Sequence, residues 1–156
     1  GDPRHACTCS YSKIRRYRSR ISGPLLDRVD IHVEIPALKY EDIARRADGE
    51  SSAAIAARVD RARAVQLDRL KDAPGRRPAY CNAQLSPALI RRYCAVDERS
   101  HELLKTAIDR LGLSARAYHR VLKVARTIAD LAGAERIEPG HITEAVQYRS
   151  LDRTTW

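Results

Sequence analysis

The sequence predicts a mainly α chain in which one strand near the N-terminus is followed by a long all-helical stretch. Three observations carry that expectation. Apolar residues recur at three- and four-residue spacing through most of the chain after position 51. Most of those periodic runs open on a capping residue or a proline and close on a glycine or a turn. One run, VDIHVEIP at 29–36, alternates with a period of two instead.

In chain order, the segment SYSKIRRYRSRI offers Ser10 as an N-cap and places Ile14, Tyr17 and Ile21 at helical spacing with arginines between them, a short basic helix. Ser22-Gly23-Pro24 breaks it. In the alternating run, Val29, Ile31, Val33 and Ile35 share one face and Asp30, His32 and Glu34 the other, until Pro36 ends it. A lone strand is not stable in water, so its sheet partners are expected outside this chain. From about Ser51 to Leu70, Ile55, Val59, Ala62, Val65, Gln66 and Arg69 fit one long helix rich in Ala and Arg, stopped by Asp72-Ala73-Pro74-Gly75. Ser86-Pro87 opens a short helix through Leu89, Ile90 and Tyr93. Leu103, Leu104, Ala107, Ile108 and Leu111 form the next stripe, closed by Gly112. Ser114 caps a helix through Ala117, Val121, Val124, Ala125 and Ile128 to Gly133, and a last helix follows Glu138-Pro139 through Ile142, Ala145 and Val146.

With 156 residues, 44% of them hydrophobic, the chain is long enough to bury one ordinary core, or two small ones sharing a boundary. Its 29 Lys and Arg against 20 Asp and Glu give a net charge of +9, which favours anionic partners such as nucleotide or nucleic acid. The excess is local: residues 1–28 hold seven of the cations and two carboxylates. No run approaches the roughly 20 apolar residues of a membrane span and no signal-peptide core follows the N-terminus, so no membrane partner is expected and the chain reads as cytoplasmic. The four cysteines, two of them at Cys7 and Cys9, suggest thiol or metal chemistry more than a disulfide framework. The absence of Met and the Gly-Asp-Pro opening lead to the expectation of a fragment that continues upstream.

The sequence holds no GxxxxGK[ST] loop and no GxGxxG after a strand, and His101-Glu102 lacks the second histidine of a zinc-binding HExxH helix. A self-contained hydrolase is not expected. The five histidines are scattered and read as solvated or locally hydrogen-bonded. Two arginines stand out by context. Arg28 sits between a Leu-Leu-Asp turn and the strand, where its planar, permanently charged fork has the reach to touch a neighbouring subunit's phosphate; the alternative is a salt bridge to Asp27 or Asp30. Arg116 lies in the first turn of the Ser114-capped helix, where the dipole disfavours a cation; it reads either as a phosphate sensor or as a solvated arginine on the helix flank.

Three segments, SRISGPLLDRVDIHVEIPAL, LSARAYHRVLKVARTIADLAG and ITEAVQYRSLDR, resemble the C-terminal part of the magnesium-chelatase-like AAA+ ATPases of the ComM or YifB group. The resemblance implies that residues 1–39 are the end of an AAA+ α/β core and residues 40–156 an all-helical lid. It implies that Arg28 is the arginine finger, acting in trans, and that Arg116 is the sensor-2 arginine, acting on ATP phosphate in its own subunit. It further implies ATP and Mg²⁺ as ligands of the full-length protein, a Walker A loop, Walker B acids and a sensor-1 residue upstream of Gly1, and a fragment inactive alone. The implied assembly is a hexameric ring of self-associated subunits, and the implied activity is a helicase promoting DNA branch migration in recombination and natural transformation. A chelatase-type ATPase that remodels a protein or inserts metal, and a non-enzymatic helical binding module, stand as alternatives.

Two more sites are expected from this reading. Cys7 and Cys9 form half of a structural zinc site that an upstream cysteine pair would complete, against the alternative of two unligated thiols, while Cys81 and Cys94 read as packing thiols. Lys13, Arg15, Arg16, Arg18 and Arg20, interleaved with Tyr11 and Tyr17, form a candidate DNA contact, against the alternatives of a subunit interface or a solvated charged face.

Overall fold

A computed structural model describes residues 8–33, 35, 37–38, 40–44, 49–74 and 78–149. The order of elements is α1 (Tyr11–Arg18), α2 (Gly23–Leu26), α3 (Tyr40–Ala44), α4 (Ser52–Leu70), a 3-10 turn (Asn82–Gln84), α5 (Pro87–Tyr93), α6 (Glu98–Leu111), α7 (Ala115–Leu131) and α8 (Pro139–Gln147). The helix starts follow local chemistry. Ser51, Ser86, Asp97 and Ser114 each accept a hydrogen bond from the backbone N–H three residues on, at 3.3, 3.3, 2.8 and 3.2 Å. At α8 the cap is reciprocal, the Glu138 N–H donating to His141 Nδ1 at 3.0 Å. Gly112 ends α6 at φ 61°, the left-handed conformation that an L side chain resists.

The core is built around α7, which packs on α8, α4, α5 and the 3-10 turn, while α8 also meets α6. Ala117, Val121, Leu122, Ala125 and Ala129 form the inward stripe of α7, facing Leu70, Leu89, Ile90, Leu104, Ile137 and Ile142. The small side chains of Ala117, Ala125 and Ala129 let neighbouring helices approach that stripe closely. Each buried Leu, Ile or Val contributes about 1.5–3 kcal/mol, so this cluster dominates over surface pairs such as Lys71 with Asp68. Cys94 joins the core, and burial pushes its thiol up to about 11; Cys81 is half-buried.

Two expectations need correction. The run at 29–33 is not a strand, and no strand occurs among the described residues. Its backbone is engaged by the end of α8 instead of a second strand: the His32 N–H donates to the Tyr148 carbonyl at 2.8 Å and the Arg149 guanidinium to the Val29 carbonyl. His32 is buried and Asp30 half-buried, while Val29, Ile31, Val33 and Ile35 are exposed. On α4 the inward positions are Ala62, Gln66 and Leu70, with Arg69 half-buried; Ile55, Val59 and Val65 face solvent. That helix, expected over about Ser51 to Leu70, is buried along its second half only. Finally, Gly23-Pro24 does not merely break a helix but starts α2, since proline is pre-shaped for a first turn. No described helix is long and apolar enough to cross a membrane.

Candidate functional site

Arg28 is delivered by a tight helical turn. The Ser22 carbonyl accepts from the N–H groups of Leu25 and Leu26 at 3.0 and 3.1 Å, the Arg28 N–H reaches the Leu25 carbonyl at 2.9 Å, and the Val29 N–H the Leu26 carbonyl at 3.0 Å. The side chain is exposed and forms no ion pair among the described residues. Both neighbouring carboxylates are occupied elsewhere: Asp27 lies 3.7 Å from the Arg149 guanidinium, and Asp30 pairs with Arg120. The local salt-bridge reading of Arg28 is therefore not what the structure contains. A guanidinium whose neighbours are already satisfied keeps all of its donors for an incoming anion.

Arg116 is the second residue of α7, exposed and without an ion pair among the described residues, and no acid accompanies it in the first turn. The Ser114 cap uses the Ala117 N–H at 3.2 Å, which leaves the first N–H groups of a 17-residue helix open to a ligand. A cleft of about 290 Å³ separates this corner from the Arg28 turn. Gly23, Pro24, Leu26 and Asp27 wall one side and residues 111–114 the other, so the two segments that carry Arg28 and Arg116 border one space. Each guanidinium is exposed and keeps its donors, whereas the cleft between their segments is lined by Asp27 and, among the described residues, by no cation.

Two buried arginines, neither given a role by the sequence reading, tie elements together, Arg149 at the Arg28 turn and Arg126 within the core. Arg149 is fully buried and links the end of α8 to Asp27 and to the Val29 carbonyl. Arg126 donates to Asp130 Oδ1 at 3.0 Å and to the carbonyls of Glu135 and Ala134 at 2.9 and 2.7 Å. Asp130, its side chain wholly inaccessible, also accepts from Arg69 at 3.0 Å and from Asn82 Nδ2 at 2.8 Å. Burial alone would raise the Asp130 pKa; hydrogen bonds from Arg69 and Asn82 and the charges of Arg126 and Arg69 outweigh it and hold the carboxyl below its ordinary range. This brace fastens α4 and the 3-10 turn to α7. The sequence signal for it was an Arg and an Asp four residues apart on α7, both on the inward face, where a charge requires a partner.

The basic helix forms as expected. Lys13, Arg15, Arg16, Arg18 and Arg20 are all exposed, as are Tyr11 and Tyr17, and α1 has no buried residue. Cys7 lies outside the described residues and Cys9 is exposed. Among the described residues no three His, Cys, Asp or Glu side chains converge as a metal site.

The described chain is thus a helical bundle with an arginine-bearing turn resting against it and a second exposed arginine at the start of α7. Residues 49–149 match the family model for the C-terminal region of magnesium chelatase subunit ChlI, and residues 1–43 match the model for magnesium chelatase subunit ChlI itself. The chain belongs to this magnesium chelatase family. Among individual relatives, it is similar to competence protein ComM of Haemophilus influenzae, with 41% identity over 145 residues, covering 92% of this chain and 27% of the relative. It is 40% identical over 146 residues to the uncharacterized protein YifB of Salmonella typhimurium and 39% identical to YifB of Escherichia coli, in each case covering 93% of this chain and 27% of the relative. The chain thus spans about a quarter of the length of these relatives, and the ComM/YifB resemblance read from its three segments holds.

Proposed function

We propose that this chain is the C-terminal portion of a ring-forming AAA+ ATPase, hexameric like the family it resembles, that acts on DNA as a branch-migration helicase in recombination and natural transformation. One observation carries the nucleotide reading: Arg28 is exposed with both neighbouring carboxylates engaged by other arginines, and Arg116 is exposed in the first turn of α7 with no acid beside it there. In this reading residues 1–39 close the ATPase core and residues 40–156 form its lid. Arg28 neutralises charge on the phosphate of a neighbouring subunit, and Arg116, with the open α7 N–H groups, holds phosphate in its own subunit. Bound ATP and Mg²⁺ supply the phosphoryl group and the metal charge that the family's chemistry uses; the residues of this chain orient and neutralise. The DNA part rests on the exposed cations and tyrosines of α1 and on similarity to a protein named for competence.

The test uses the full-length protein. Arg28→Ala should leave ATP binding nearly intact and slow hydrolysis by about 10³-fold, as for arginine fingers generally. Mixing it with a full-length variant whose phosphate-binding loop is disabled should restore part of the turnover, because the latter still donates Arg28 to the former's intact pocket. Mixed rings that form without regaining activity, or normal hydrolysis by Arg28→Ala alone, would refute the trans assignment. Replacing Arg15, Arg16 and Arg18 together should weaken DNA binding and flatten its salt dependence; an unchanged salt slope would remove α1 from the DNA contact.

A further inference from the structure

We infer that the ion pair between Asp30 and Arg120, together with Arg149, is a clamp that sets the reach of Arg28 by fixing its turn to the helical domain. The inference rests on the reading of Arg28 given above and deepens it. The turn at 25–29 is closed by its own short-range hydrogen bonds, so its shape is local. Its position is not. Four longer-range polar ties leave residues 27–32 and end on α7 or at the end of α8: Asp27 at 3.7 Å from Arg149, the Val29 carbonyl on Arg149, Asp30 on Arg120 and the His32 N–H on the Tyr148 carbonyl at 2.8 Å. Arg28 is flanked on both sides by residues tied down in this way and is itself exposed.

The apolar contribution to this docking is small, because Leu25, Val29, Ile31 and Val33 are all at least 40% exposed. Polar ties therefore decide where the turn sits. Arg120 lies on α7, the helix that also presents Arg116 at its first turn, so one rigid element sets both arginines across the cleft. Arg149 and Arg120 are positioning residues: they reach no ligand and act through Arg28.

The Arg149 variant risks misfolding, since that side chain is fully buried; the half-exposed Asp30–Arg120 pair keeps the test clean. In nucleotide-free full-length protein, hydrogen exchange at residues 29–33, which include the His32 amide, should rise about 10-fold in Arg120→Gln while α6 and α7 stay protected. The same variant should lose about 10- to 100-fold in kcat with KM for ATP unchanged, as expected when a reacting group is displaced by about an ångström. The reversed pair, Asp30→Arg with Arg120→Asp, should restore both. Adding Arg120→Gln to Arg28→Ala should cost nothing further. Unchanged exchange at 29–33, or an additive loss of kcat on top of Arg28→Ala, overturns the clamp. If Arg28→Ala itself hydrolyses ATP normally, the finger reading fails, and the exchange measurement still decides whether the clamp exists.

Discussion

Replacing Asp130 by Asn keeps the shape of the side chain and removes its charge, which isolates what the buried carboxylate does. In the native chain Asp130 accepts from Arg69, Arg126 and Asn82, and its side chain sees no solvent. The substituted asparagine would present an amide nitrogen to those donors and leave the Arg126 side chain, only 3% exposed, without its counter-charge. Arg126 would keep the Glu135 and Ala134 carbonyls, so the loss is the charge pairing and not the whole bond set. Removing one partner of a buried pair costs about 3–5 kcal/mol. At about 4 °C per kcal/mol for a domain of this size, Tm should fall by roughly 12–20 °C at pH 7 in a calorimetric or circular-dichroism melt. A pH arm sharpens the test. The folded pKa of Asp130 lies below its ordinary value of 3.8, so its contribution is fully present above that value and disappears as pH falls through the folded pKa. Wild type should therefore lose stability on acidification below about pH 4 more steeply than Asp130→Asn, and the two should converge. The exposed Asp68 is the control, and Asp68→Asn should melt with wild type. A Tm for Asp130→Asn within 3 °C or so of wild type at pH 7 would refute the brace, since surface changes move stability by no more than about 0.5 kcal/mol.

Three further outcomes are expected. Gly112→Ala should cost about 1–2 kcal/mol in denaturant unfolding, because φ is 61° there and nothing stands within 4 Å of an added Cβ, so the penalty is conformational alone. Gly140→Ala, with the same open space and no positive φ, should instead stabilise by about 0.4–1 kcal/mol; equal effects at both sites would contradict the left-handed cap. Burial lifts the Cys94 thiol from 9.0 to about 11, so at pH 8 iodoacetamide should label Cys94 at least roughly 100-fold more slowly in native protein than in urea. Equal rates by peptide mass spectrometry would place Cys94 outside the core.

What the sequence made legible is local chemistry. Ser86-Pro87, Gly112, Ser114 and Glu138-Pro139 mark helix ends because the groups that cap a helix lie within a few residues of it, and each does so in the structure. The places of Arg28 on a turn and of Arg116 after a cap were legible for the same reason, while the roles given to them came only from the family resemblance. What failed involves partners far along the chain. The alternation at 29–35 names a face without saying what covers it, and the segment took the end of α8 for its hydrogen bonds. Asp27 and Asp30 looked like local partners for Arg28, whereas their true partners lie far downstream, at Arg149 and Arg120. Arg149 sits within the ITEAVQYRSLDR segment that carried the family resemblance, yet no periodicity marks a residue whose work is to satisfy a distant carbonyl. Asp97 as the cap of α6 was missed because its apolar stripe begins a full turn later, at Leu103 and Leu104.

The first ten residues of α4 have none buried, although the helix runs on without a break into the core at Ala62. At 1.5 Å per residue that is about 15 Å of helix standing clear of the core. Its coherence comes from Ala53, Ala54, Ala56 and Ala57, the residues that lose least entropy on coiling, and from the Ser51 cap. The Arg58–Glu50 contact at 2.7 Å ties its base back across the entry loop. A helix held by composition melts at a different temperature from one held by packing. On warming, this arm should uncoil from its N-terminus while α7 and α8 remain intact, so the chain carries its own graded thermometer: amides of 52–61 exchange first, those from 62 onward only with the core.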